Sequence, residues 1–177
     1  MSRFMTGIAL GTSVAALSLG VSTAHARVAP TASGLDKQYL TTSIQGDRFE
    51  VLGGQQALSR SQNPAVRALA TRLVKDHAKS LKESIALAKR LGVSVPKAPA
   101  PSMRWELQMV GALSGPQYDH WYADLEAKDH VQDISEASDE VKMGSNAAVR
   151  QSARKELPTL RAHLKLSRAA LKASPGT

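Results

Sequence analysis

A chain of 177 residues with no cysteine can form no disulfide and no thiolate metal site, so packing alone must stabilise it. Its formal charge of +8 is spread along the sequence, with no dense basic block and no basic-aromatic stripe. That argues against a nucleic-acid interface and favours solvated helix faces, with weak association to an anionic envelope surface as the partner the charge would suit.

The N-terminus reads as a secretory signal peptide over residues 1–26. Arg3 supplies a positive start, Met5 to Leu19 an apolar stretch, and Ala24-His25-Ala26 a small-x-small cleavage site. The apolar stretch falls short of the roughly 20 residues a bilayer span needs. Without cysteine there is no lipobox, so a periplasmic destination is expected rather than a lipid anchor. Cleavage after Ala26 leaves about 150 residues, the size of one domain.

Residues 27–34 read as a disordered lead-in, and 35–173 as one four-helix bundle domain. Helix-favouring Ala, Leu, Lys, Arg and Gln dominate, with no alternating β-branched run. The first helix is expected over 35–61. Asn63-Pro64 places a capping residue before a proline and opens the second, 64–91, with Gly92 as its stop. Three prolines exclude helix over 93–102. A short helix is expected over 103–113 in the crossover. Ser114 and Gln117 have capping-box spacing and open the third long helix, 116–143. The fourth spans 146–173, with a kink expected at Pro158. Tyr118, Trp121 and Tyr122 read as core packing beneath Trp105.

Two apolar stripes have helical spacing: Val66, Ala70, Leu73, His77, Leu81, Ile85, Ala88 and Leu91, then Ala123, Ala127, His130, Ile134, Ala137 and Val141. A faint repeat links Asn63-Pro-Ala-Val-Arg67 to Asn146-Ala-Ala-Val-Arg150 and suggests two similar hairpins. Lys75-Asp76-His77 also matches Lys128-Asp129-His130, although at unequal distances from the turns.

Four residues, one per long helix, fall near mid-height of such a bundle: Glu50, His77, His130 and His163. At 1.5 Å per residue each lies roughly 20–26 Å from its hairpin turn. Glu50 shares a face with Asp47, Gly54 and Ala57 and has no basic residue three or four positions away, so it needs a partner from another helix. Three imidazoles and a carboxylate suit one transition-metal ion: iron, copper or zinc. They equally suit a buried hydrogen-bond network without metal, the reading the pattern favours. The Glu-x-x-His pairs of di-iron bundles are missing, since Val74, Ala127 and Leu160 stand three before the histidines. Asp76 reads as a surface partner of Arg72 or Lys79.

The run Gln45-Gly-Asp-Arg-Phe-Glu50-Val-Leu-Gly53 and the Asn63-x-x-Val-Arg67 cap are joined by Asp76-His77, Gly92-Val-x-x-Pro96, Gly115-x-x-Tyr118-Asp119-x-x-Tyr122, His130 and Leu157-Pro158-x-Leu160-x-x-His163. Together they resemble the exported bacterial family called Domain of Unknown Function 4142, over about residues 38–172. The resemblance implies a ferritin-like fold, export, and a shared glutamate and histidines. It implies no activity. The expectation is an exported periplasmic binding or envelope stress-protective protein, with enzymatic activity left open and a transition-metal-binding ferritin-like protein as the alternative.

Overall fold

The computed structural model describes residues 31–176; the expected signal segment and residues 27–30 lie outside them. Five α-helices, and no strand among the described residues, run in the order α1 (Gly34–Arg60), α2 (Pro64–Arg90), α3 (Pro101–Gly111), α4 (Gly115–Met143) and α5 (Ala147–Lys172).

Local chemistry sets most of these bounds. Ser33 and Asp36 form a reciprocal capping box, with Asp36 N donating to Ser33 Oγ at 3.2 Å and Ser33 N to Asp36 Oδ2 at 2.6 Å. The last residues of the expected lead-in therefore start α1, and Ala32 is already buried. At the end of α2, Gly92 takes φ +66°. This lets Val93 N reach Ala88 O at 2.8 Å and Gly92 N reach Lys89 O at 3.2 Å, the pairing that closes a helix on a left-handed glycine. Ser114 precedes α4, but its side chain makes no cap bond. The expected capping box does not form. α5 continues through Pro158 as one helix.

The sequence repeat has a structural counterpart. Asn63 Oδ1 accepts from Ala65 N and Val66 N, and Asn146 Oδ1 from Ala148 N and Val149 N. Arg67 Nη1 donates to Leu58 O and Ser61 O of the preceding turn, just as Arg150 Nη1 donates to Gly144 O and Ser145 O. Val66 and Val149 are both fully buried. Each motif caps a helix, ties it to the turn before it, and inserts one apolar anchor.

α1 pairs with α2 and α4 with α5, and the two hairpins meet along α2–α5 and α1–α4. The apolar core is split in two. One cluster gathers Tyr39, Leu40, Ile44, Leu87, Ala88 and Ala137 with Val149 and Ala153. The other gathers Ala57, Val66, Leu69, Leu73, Tyr118 and Tyr122 with Ala170. On each long helix a polar stretch separates the members of the two clusters: Asp47 and Glu50, His77, Glu126 and His130, and His163. Tyr118 and Tyr122 stack in parallel at 6.0 Å within the core. Trp121 and Trp105 do not join them, being 50% and 61% exposed. The one-residue step from Trp121 to Tyr122 turns the indole about 100° off the buried face. α3 contributes no buried residue that could cover it.

Candidate metal centre

The polar layer at mid-height is built from all four long helices. His77, His130 and His163 come together with ring centroids 5.6 Å apart for His77–His130, 5.0 Å for His77–His163 and 5.1 Å for His130–His163. One ring nitrogen from each lies within 4.8 Å of the other two. All three rings are buried.

Each ring has one nitrogen anchored and one unpartnered. His77 Nδ1 donates to Asp47 Oδ1 at 2.8 Å, His130 Nδ1 to the backbone carbonyl of Glu126 at 2.8 Å, and His163 Nε2 to Asp76 Oδ2 at 3.0 Å. Left without a partner are His77 Nε2, His130 Nε2 and His163 Nδ1. A carbonyl oxygen can only accept, so the His130 tautomer is fixed with its lone pair on Nε2. The ionised Asp76 carboxylate fixes His163 in the same way.

Burial favours the neutral rings, pulling His77 and His163 down to about 4 and His130 to about 3. Burial also pushes Asp47 up to about 8. For Asp76 burial acts upward too, but hydrogen bonds from His163 and Arg72 outweigh it and hold the carboxyl below its usual range. At neutral pH the centre therefore presents three uncharged imidazoles, with the lone pairs of His130 Nε2 and His163 Nδ1 unshared and that of His77 Nε2 unshared when its Nδ1 donates to Asp47. An unpaired buried polar atom costs about 1–3 kcal/mol, so three of them ask for a shared partner. A cavity of about 800 Å³ bordered by Tyr39, Asp47, Asp76, His77, Glu156 and His163 leads to this layer.

Glu50 is placed differently from the histidines. It is fully buried, and its Oε1 lies 3.7 Å from His130 Nδ1, the anchored nitrogen. Its neighbours are acidic: Glu126 and Asp129, with Asp133 close by. Burial followed by the Glu126 charge pushes its carboxyl well above the usual range.

Of the four residues expected to converge, three do so, and Glu50 stands on the far flank of His130. The sequence reading missed Asp47 as the anchor of His77, Asp76 as the anchor of His163, and the acids of α4. The available signals were Asp47 one turn before Glu50, and Glu126, Asp129 and Asp133 spaced along the face of α4 that carries His130.

A family model described as Domain of unknown function (DUF4142) matches residues 21–170 of this chain. No protein of curated function matches it. Among solved structures, a DUF305 fragment from Deinococcus radiodurans superposes with a TM-score of 0.71 at 18% identity, covering 81% of this chain and 99% of the fragment. At that identity the likeness speaks for the helical fold alone.

Proposed function

We propose, for a chain that belongs to this DUF4142 family of unknown function, that the three histidines bind a single transition-metal ion and that the protein is a metal-handling component of the bacterial envelope. One observation carries the reading: three buried, neutral imidazoles each keep one nitrogen unpartnered within reach of the others, while the second nitrogen is held by an acceptor. Anchoring the distal nitrogen of a ligating histidine orients the ring and raises its basicity. A metal-free network would be expected to pair these nitrogens with each other or with carboxylates, and that pairing is missing.

Neutral nitrogen donors suit zinc and copper, and iron less well. Three protein ligands leave a fourth position for water or a small ligand, and His77 and His163 border the cavity through which either would arrive. We further propose the ferritin-like arrangement for the four long helices and their crossover, and export to the periplasm through cleavage after Ala26. In that compartment, sequestering a transition metal would be the stress-protective role.

The test is metal content. The mature chain, without a His-tag, is loaded with Zn²⁺ or Cu⁺, dialysed and counted by mass spectrometry beside His77→Ala and His163→Ala. One equivalent in the wild type, lost in both variants, supports the site. No retained metal, with variants that are merely less stable, makes the cluster a structural network.

A further inference from the structure

Both tryptophans of the chain stand on the outside of the bundle, on one groove. Trp105 of α3 and Trp121 of α4 border it with Met109, Val110 and Leu125, and the two indoles and Met109 are each half exposed or more. The groove holds about 380 Å³. Helix geometry turns these side chains outward. α3 rests on α1 through Leu107 and Gly111: a Cβ at Gly53 would stand 3.3 Å from Leu107 Cδ2, and one at Gly111 would stand 2.6 Å from Gln56 Nε2. Trp105 and Met109 each lie two positions before these, on the far side of α3. On α4, Trp121 and Leu125 form the stripe beside the buried Tyr118 and Tyr122, and Lys128 continues it one turn on.

α3 is a helix with packing left over. Eleven residues are too few for a helix to hold by propensity alone, and none of these eleven is buried. Exposed patches built on aromatic residues and Met mark contact surfaces. The surrounding charge selects the partner. Glu106, Asp124 and Lys128 border the groove. Lys128 Nζ donates to Asp124 Oδ2 at 2.6 Å, and Glu106 makes no ion pair among the described residues. A chain of net charge +8 thus rims its exposed indoles with net negative charge. An anionic lipid surface would meet that rim with like charge.

We propose that this groove is a dimer interface, closed by a second copy of the chain across a two-fold axis. The patch carries both signs of charge. Two copies facing each other therefore set Glu106 of one opposite Lys128 of the other, twice, over a core of indoles. The area is small: two indoles and a methionine, half exposed, offer on the order of 400 Å² per copy, about half of what a standard interface takes from each partner. The dimer is accordingly a reversible one that forms at micromolar concentrations and above. It uses no residue of the histidine centre and stands whether or not metal binds there.

Sedimentation velocity on the metal-free mature chain, from about 1 µM to about 1 mM, reads the association. Wild type is compared with Trp105→Ala/Trp121→Ala, with Glu106→Lys and Lys128→Glu singly, and with Glu106→Lys/Lys128→Glu. None of the replaced side chains is buried, and urea melts check that every variant folds. Wild type should pass from monomer to dimer across the range. The tryptophan variant should associate at least about tenfold more weakly, the effect of removing central indoles. Each single charge reversal should weaken the dimer at low salt, and the double reversal should restore it by rebuilding both pairs with the signs exchanged. A wild type that stays monomeric, unchanged association of the tryptophan variant, or no recovery in the double reversal overturns the interface. Anionic vesicles supply the rival occupant: a monomer that binds them with a blue shift of tryptophan fluorescence assigns the groove to a lipid surface and overturns it as well.

Discussion

Asp76 Oδ2 on α2 accepts His163 Nε2 from α5 at 3.0 Å while also receiving Arg72 Nε from one turn earlier on its own helix. The carboxylate that read as half of a surface ion pair is thus a cross-hairpin anchor for a candidate ligand. Asp76→Asn should weaken metal binding about 10–100-fold, the usual effect of removing such a partner. It should cost apo stability about 1 kcal/mol or more, since the buried His163 N–H exchanges a charged acceptor for a neutral one while the Arg72 pair is lost. Competitive titration with Co²⁺ against a chelator reads the affinity, and an unchanged constant would remove Asp76 from the site.

The histidines were legible because each sits on or beside an apolar stripe, and counting residues from two capped turns puts them at one height. Helical rise is regular enough for that sum to survive folding. The partners were not legible in the same way. Whether Glu50 points toward His77 or past His130 depends on the rotation of α1 about its axis. That rotation is set by the close approach of Gly54 to α2, a contact that periodicity does not encode. Trp121 was misplaced for a related reason: positions 118, 121 and 122 share one broad helical face, and aromatic character alone does not say which edge of that face is left exposed.

Gly54 fixes the α1–α2 spacing. A Cβ there would lie 2.6 Å from Val74 Cγ2 and 3.1 Å from the Ala70 carbonyl oxygen. Gly54→Ala should therefore cost about 1–3 kcal/mol through overpacking, despite the better helix propensity of alanine. Val74→Ala in the same chain should recover part of the loss, leaving only the backbone contact. Urea unfolding of the single and double variants checks this; equal stability of Gly54→Ala and wild type would show that the helices have slack.

Glu140 makes the fold pH-sensitive at the end far from the histidines. It is fully buried beside Asp36, and burial, followed by the Asp36 hydrogen bond and charge, pushes it up to about 7. An acid whose folded value is raised stabilises the fold in its protonated form, so this contribution is present below about 4.5 and fades as pH rises to about 7. Asp36 works in the opposite direction. Burial raises it, but bonds from Ser145, Ser33 and Asn146 outweigh burial and hold it well below 3.8, so its contribution is lost only in stronger acid. Glu140→Gln should remove Glu140's share of the loss between pH 5 and 8, leaving those of Asp47, Glu126 and Glu156, and be the more stable protein at pH 8. Urea midpoints at the two pH values decide it, and parallel curves for wild type and variant would contradict the assignment.

Asp36 also joins two turns that are distant in sequence. Beyond its capping box with Ser33, Oδ1 accepts Ser145 N and Asn146 N at 3.0 Å each, and Oδ2 accepts Ser145 Oγ at 2.6 Å. Ser33→Ala removes only a cap side chain and should cost about 1 kcal/mol. Asp36→Ala strands two backbone donors in the α4–α5 turn as well, each costing about 1–3 kcal/mol when buried unpaired. Its total should therefore reach about 3 kcal/mol or more. Asp36→Asn offers one acceptor oxygen in place of two and should fall between them. Hydrogen exchange at the Ser145 and Asn146 amides separates the local from the global effect: both should lose protection in Asp36→Ala and keep it in Ser33→Ala. Equal costs for the two alanine variants would mean that the α4–α5 turn holds its shape without Asp36.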